Sequence, residues 1–172
     1  MTQRVRLGMA LFLLNEAVLF FMLIAAFVYF RSSTRATAAA NLHLQSASIF
    51  TALLLGSSLT MWRAVATQAP AWLNGTLTLG AAFLYGQGRE YWRLFQEHIT
   101  ISRDQFGTTF FALTGVHALH VLVGVMLIGI LAGGAGSKVG WRTALDAVAL
   151  YWYFVDAVWI AIFAIVYLWP RL

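Results

Sequence analysis

Four ionisable side chains lie inside long apolar stretches of the sequence: Glu16, His117, His120 and Asp156. A charged group at the centre of a membrane helix costs on the order of 3 kcal/mol, so each of these groups must face protein, water or a partner. Groups of these types can carry protons, bind a metal or haem, or satisfy one another across a helix bundle. Residue type alone therefore leaves three hypotheses: a proton relay or buffer, a metal or haem site, and a structural polar cluster.

Five apolar stretches position these residues. They run from Leu7 to Phe30, Leu44 to Ala66, Trp72 to Trp92, Phe106 to Ala132 and Ala144 to Trp169. Each has the roughly 20 residues that a helix needs to cross about 30 Å of hydrocarbon. Backbone groups cannot be left unpaired in lipid, and stretches this long lack the alternation of barrel strands. We therefore predict an all-α polytopic membrane protein, with a bundle of five transmembrane helices forming one domain over residues 1–172.

The helical rise places the four ionisable groups at similar depth. Glu16 lies about 13 Å into the first span, and Asp156 lies about 15 to 18 Å into the fifth span from the same side. His117 lies about 16 Å into the fourth span from the opposite side, and His120 lies one turn further. All four are therefore expected near the membrane midplane.

The two histidines lie three residues apart, on one face of the fourth helix together with Thr114 and Gly124. Small and polar residues on one face suit helix packing. Two histidines on one face cannot supply the opposed axial ligands of a haem, and His43 lies at a membrane edge, about 16 Å from His117 in depth. A carboxylate–histidine metal site would usually carry paired Glu-x-x-His motifs, which the sequence lacks. We predict no haem and no metal in this chain.

The composition agrees with a membrane environment. Only 10% of the residues are charged and 61% are hydrophobic, which excludes an ordinary soluble domain. The net charge of +5 comes from cations near the ends of apolar stretches, so we expect anionic lipid headgroups and no nucleic acid as partners. The absence of cysteine excludes a thiolate metal site. The basic residues divide almost equally between the two sides, so charge alone leaves the orientation open.

Four segments of the chain resemble a known family. The segment from Phe106 to Gly124, FGTTFFALTGVHALHVLVG, resembles the signature helix of the cytochrome c oxidase subunit III family of haem–copper terminal oxidases. The segment YWYFVDAVW, Tyr151 to Trp159, resembles the last helix of that family, and Gly8 to Phe21 is similar to its Gly-x-x-x-Phe-x-x-Ser-Glu pattern. Glu90-Tyr91 followed by Ile99 to Ser102 is similar to its Glu-Tyr and Thr-Ile-Ser segment.

The resemblance implies an accessory, non-redox subunit of a respiratory complex that reduces O₂ to water and pumps protons. Such a subunit supports the assembly, stability and proton uptake of catalytic subunit I. Haem and copper belong to the partner subunits. Phospholipid is a candidate ligand of this chain. The implied location is the bacterial inner membrane, with a cytoplasmic N-terminus and a periplasmic C-terminus. The larger family members have seven spans, so we expect this chain to begin at their third span, as in the five-helix bacterial form.

Within this family Glu16 matches a membrane carboxyl near subunit I. We expect Glu16, Asp156 and His117 to form a buried polar cluster beside His120, with Glu16 as the best candidate for a protonatable group. The secondary polar candidates are Asn15, Glu90 and Thr114. We predict no catalytic residue and no cofactor ligand in this chain. The alternatives are a quinol oxidase subunit, a nitric-oxide-reductase-associated homologue, an independent proton or solute transporter, and a haem-bearing membrane anchor.

Overall fold

The computed structural model describes residues 3–31, 44–97, 105–134 and 140–169. These residues form five long helices and no strand, which confirms the all-α prediction. The helices are α1 (Gln3–Arg31), α2 (Leu44–Thr67), α3 (Ala71–Gln96), α4 (Gln105–Gly133) and α5 (Trp141–Phe163). A π-helical segment, Ala164–Leu168, continues α5. His43 and the segment from Ile99 to Ser102 lie outside the described residues.

Four helices are long and apolar enough to cross a membrane, judged by length and composition. The qualifying segments are Val5–Phe30, Leu44–Thr67, Gly107–Gly133 and Trp141–Leu168. The remaining helix, α3, has 26 residues, so its length is comparable, but it carries more polar side chains, among them Asn74, Thr76 and Gln87. The chain is thus a multi-pass helical protein, and the span from Trp72 to Trp92 stays a prediction.

The helices are arranged as a ring of four with one helix outside it. Helices α2, α3, α4 and α5 pack in that order, and α5 closes the ring by packing on α2. Helix α1 packs against both α4 and α5. Because α2 and α3 are joined by three residues only, Gln68 to Pro70, they run antiparallel as neighbours. The short turn uses a left-handed backbone at Gln68, whose φ is 54°.

Trp152 of α5 fills the centre of the ring and is fully buried. Its indole lies over two glycines of neighbouring helices. A Cβ added at Gly80 of α3 would lie 2.8 Å from the ring, and one at Gly124 of α4 would lie 2.7 Å from it. Real Cβ atoms essentially never approach so closely, so the two glycines let α3 and α4 close around the indole.

Candidate functional site

The first helix contacts the bundle through a carboxylate–histidine pair. The residues of α1 that face the bundle recur in alternating steps of four and three, which is the spacing of a helix-packing interface. They are Met9, Leu13, Glu16, Phe20 and Leu23. This spacing turns Glu16 toward α4, where its Oε2 atom lies 3.0 Å from Nε2 of His120. The two side chains are only 14% and 15% exposed. The structure thus joins two of the four predicted residues across the α1–α4 interface.

The second ring nitrogen of His120 fixes how many protons this pair holds. Nδ1 lies 2.8 Å from the carbonyl oxygen of Val116, one turn earlier on α4. A carbonyl oxygen only accepts hydrogen bonds, so Nδ1 must carry a hydrogen. A single proton then lies between Nε2 of His120 and Oε2 of Glu16, either on the carboxyl of a neutral pair or on the ring of an ion pair. Both arrangements have zero net charge, which suits a site of low polarity.

The surroundings hold this pair in place. The hydroxyl of Tyr151 on α5 donates to the backbone carbonyl of His120 over 3.0 Å. The ring of Phe20 lies edge-on to the imidazole, with 5.0 Å between the ring centres. A small apolar cavity of about 300 Å³ adjoins His120 and Tyr151 on the outer side of the bundle. The pair therefore lies at the meeting point of α1, α4 and α5, with polar contacts from each helix.

Asp156 belongs to a different interface, the one between α2 and α5. The hydroxyl of Ser58 on α2 donates to Oδ2 of Asp156. One turn away on α5, the indole N–H of Trp152 donates to Ser57 over 2.9 Å, and that of Trp159 donates to Thr51 over 2.9 Å. We call this set of three contacts the α2–α5 seam. It joins three side chains of α5 to hydroxyls of α2, because positions 152, 156 and 159 share one helix face.

His117 lies between aromatic rings in the core of the bundle and is fully buried. Its ring stacks on Trp159 with 4.9 Å between centres and meets the edges of Phe20 and Phe83 at 6.2 Å and 5.9 Å. Neither ring nitrogen has a hydrogen-bond partner among the described residues. The expected cluster of Glu16, Asp156 and His117 is therefore divided between three places, since the three side chains face different neighbours.

The secondary candidates also lie apart from one another. Thr114 is fully buried and donates to the carbonyl of Phe110, so it accepts the hydrogen bond that Tyr91 of α3 makes to it over 2.7 Å. Glu90 forms an ion pair with Arg93 on α3 at 2.5 Å. Asn15 is exposed on α1.

The sequence interpretation missed the hydroxyl partners of these groups. Ser57 and Ser58 stand together in the middle of an apolar helix, and Thr51 lies about two turns earlier. Hydroxyls at such positions indicate interhelical hydrogen bonds. Tyr151 gave no comparable signal, because a tyrosine beside a tryptophan in an apolar helix is equally typical of packing.

Among the described residues, no group of three or more histidine, aspartate or glutamate side chains could hold a metal ion. Both ring nitrogens of His120 are already engaged, by Val116 and by Glu16. The arrangement can therefore share a proton within the membrane and hold helices together.

Comparison with known proteins matches residues 1–171 to the model of the family described as cytochrome c oxidase subunit III. The chain belongs to the cytochrome c oxidase subunit III family. A cytochrome c oxidase subunit 3 from Corynebacterium diphtheriae is 34% identical over 180 residues, covering 95% of this chain and 87% of the relative. A cytochrome bo(3) ubiquinol oxidase subunit 3 from Pseudomonas aeruginosa is 33% identical over 173 residues, covering 94% and 83%.

Membership of the subunit III family makes the chain an accessory subunit of a haem–copper oxidase, part of an oxidoreductase complex. Subunit III carries no metal centre itself, and the haem and copper of these oxidases lie in other subunits. The resemblance drawn from four segments of the sequence is thereby confirmed over nearly the whole chain.

Proposed function

We propose that the chain packs against the catalytic subunit I of a bacterial haem–copper oxidase and supports its assembly, stability and proton uptake. The exposed side of α1 supports such a contact. Of the described side chains on α1, only Phe20 and Phe27 are buried, while Leu7, Leu14 and Phe21 are more than 60% exposed. An apolar face of this length must meet lipid or another membrane subunit.

In this proposal all five helices cross the bacterial inner membrane, including α3. An odd number of crossings puts the two termini on opposite sides, with the N-terminus cytoplasmic and the C-terminus periplasmic. Helix α3 supports this topology because it is connected to α2 by only three residues and packs between α2 and α4. Its polar groups Thr76 and Gln87 are buried.

The pair formed by Glu16 and His120 carries the proposal of a proton role. Its single shared proton can move between the carboxyl and the imidazole without changing the net charge of the pair. A group of this kind can take up or release a proton within the hydrocarbon at a lower cost than an isolated carboxylate. We assign the proton-holding role to this pair as a unit, with Glu16 as the acidic member.

The association with an oxidase is tested by purifying the tagged chain in a mild detergent. Haem–copper subunits should co-purify in a fixed ratio, recognised by the absorption of their haems. A chain that is recovered without haem and without other oxidase subunits would overturn the accessory role.

The proton role is tested with Glu16→Gln. The glutamine amide can donate to Nε2 of His120, so the contact and the tautomer are kept while the titratable proton is lost. The complex should assemble normally, and the pH dependence of its turnover should change. The matched control is Asn15→Gln, which places an amide on the exposed neighbouring position. If Glu16→Gln and the control have the same pH profile as the unchanged oxidase, the pair has no proton role.

The relatives include a cytochrome c oxidase subunit and a ubiquinol oxidase subunit at nearly equal identity. We infer cytochrome c as the electron donor, because the matching family and the relative from Corynebacterium diphtheriae both bear the name of a cytochrome c oxidase subunit. Turnover of the purified complex with reduced cytochrome c, and none with a quinol, is the expected result. The opposite pattern would assign the chain to a quinol oxidase.

A further inference from the structure

A second cavity, larger than the one beside His120, lies where α2 begins and where α3 and the π-helical end of α5 terminate. Its volume is about 700 Å³, within the range of pockets that bind small molecules. It reaches from Gln96 at the end of α3 down to Phe83, and 13 helical positions correspond to about 20 Å. The cavity therefore extends from one edge of the bundle far into the apolar region.

The walls change in character along this depth. The deep part is aromatic and apolar, with Phe50 of α2, Phe83 of α3 and Trp159 of α5. Gly86 allows this shape, because a Cβ at this position would lie 2.3 Å from the ring of Phe50. Tyr167, in the π-helical segment, completes the wall, and π-helical turns recur at functional sites.

The outer part of the cavity carries cationic side chains. Arg89 lies about halfway along the α3 wall, is exposed, and makes no ion pair with any of the described residues. Arg93 lies one turn nearer the end of α3, where Glu90 at 2.5 Å and Glu97 at 3.2 Å hold its guanidinium. Because both acidic groups are engaged by Arg93, the cavity presents Arg89 as a guanidinium able to bind a carboxylate or a phosphate.

A buried amide provides a second, independent sign of a ligand. Gln87 lines the cavity, is only 7% exposed, and its Nε2 atom has no hydrogen-bond partner among the described residues. A buried donor without a partner costs about 1–3 kcal/mol, so such groups are rare in native proteins. A ligand oxygen in the cavity would satisfy it.

We propose that this cavity binds one aliphatic chain ending in an oxyanion, either a fatty acid or an acyl chain of an anionic phospholipid. The aliphatic chain lies along Phe50, Phe83 and Trp159, and the oxyanion binds Arg89 and accepts a hydrogen bond from Nε2 of Gln87. The walls of the site are formed by α2, α3 and α5 of this chain. It does not depend on the electron donor or on the proton role of Glu16.

The test measures binding of spin-labelled lipids to the purified chain, together with any subunits that co-purify, in detergent after delipidation. The probes are labelled stearic acid, labelled phosphatidylglycerol, and the methyl ester of the same stearic acid. A saturable, immobilised component of one ligand per chain is expected for at least one of the two anionic probes. The uncharged ester should bind about tenfold more weakly, because it lacks the charge-assisted hydrogen bonds. Saturable binding of the stearic acid would assign the site to a fatty acid, and saturable binding of phosphatidylglycerol would assign it to a phospholipid.

Three variants and one control variant locate the binding in this cavity. Arg89→Gln should weaken binding about tenfold, while Arg63→Gln, an exposed arginine at the other end of the bundle, should leave it unchanged. Ala47→Phe should obstruct the cavity and abolish the saturable component. Gln87→Leu should weaken binding while raising the thermal stability of the lipid-free chain, since it removes an unpaired buried amide.

Non-saturable binding of both anionic probes would overturn the proposal. So would equal binding of the acid and its ester, or an equal effect of the Arg89 and Arg63 substitutions. Arg89 is exposed, so its substitution keeps the test valid even if Ala47→Phe fails to fold.

Discussion

Helix α1 and the α2–α5 seam are held in place by different means. Along the seam, three buried side chains of α5 bond to hydroxyls of α2, and both indoles of the seam are buried to within 1%. On α1, the interhelical polar contact described is the pair of Glu16 with His120, and most side chains remain exposed. The seam is thus a buried interface within this chain, whereas α1 leaves an apolar face for a neighbour.

This difference assigns distinct roles to two carboxyl groups that the sequence placed at the same depth. Asp156 accepts a hydrogen bond from a serine and stabilises the interface between two helices of the ring. Glu16 shares a proton with a histidine at the point where α1 meets the ring. Equal depth in a membrane therefore does not imply an equal function, because the partner decides what the carboxyl can do.

The largest expected effect comes from emptying the centre of the ring. Trp152→Ala removes the indole that α3 and α4 enclose, and it leaves Ser57 without its donor. Truncations of this size lower the free energy of unfolding by about 3–5 kcal/mol. Chemical unfolding in detergent measures the change. The control is Trp62→Ala, which removes an indole that is 55% exposed and should cost far less. Equal losses would contradict the central place of Trp152.

Filling the same space should also be harmful. Gly124→Ala places a methyl group 2.7 Å from the fully buried indole, so the helices must separate. We expect a loss of about 1–3 kcal/mol in the free energy of unfolding. Gly8→Ala on α1 is the matched control, because nothing lies within 4 Å of its Cβ. That substitution should be neutral or stabilising by up to about 1 kcal/mol through helix propensity. A neutral Gly124→Ala would mean that the ring is packed more loosely than described.

Breaking the contact of α1 should affect this helix selectively. Glu16→Leu removes the partner of His120 Nε2, and hydrogen bonds between membrane helices contribute about 1 kcal/mol. Hydrogen–deuterium exchange should become faster in α1 and stay unchanged in α2 and α5. Asn15→Leu, at the exposed neighbouring position, should leave exchange unchanged. Faster exchange throughout the ring would show that α1 is part of the same cooperative unit.

The smallest effect is expected for Asp156→Asn. The asparagine carbonyl still accepts the hydrogen bond from Ser58, so the change in the free energy of unfolding should stay within about 0.5 kcal/mol. Ser58→Ala removes the donor and should cost about 0.6 kcal/mol or somewhat more. The pair of variants, measured by the same unfolding assay, shows whether the seam needs a carboxylate or only an acceptor. A large loss for Asp156→Asn would show that the charge itself matters.

Much of the fold followed from the sequence. The five predicted spans lie within a few residues of the helix bounds, because length and apolar composition constrain a membrane helix strongly. Gly124 was expected to serve helix packing, and it lies against Trp152.

The hydrogen-bond partners of the carboxyl groups were less predictable. Depth put Glu16, His117 and Asp156 in one layer, but the direction in which each side chain points depends on how every helix is rotated.

The sequence by itself determined that this chain is a helical membrane protein of the subunit III family, since apolar length and family motifs are properties of order along the chain. It also identified the four ionisable groups that lipid cannot solvate. The tertiary structure alone decided that Glu16 binds His120, that Asp156 binds Ser58, and that His117 lies among aromatic rings. The physical reason is that hydrogen bonds between helices act over about 3 Å, and only the packing and rotation of the helices bring two such atoms so close.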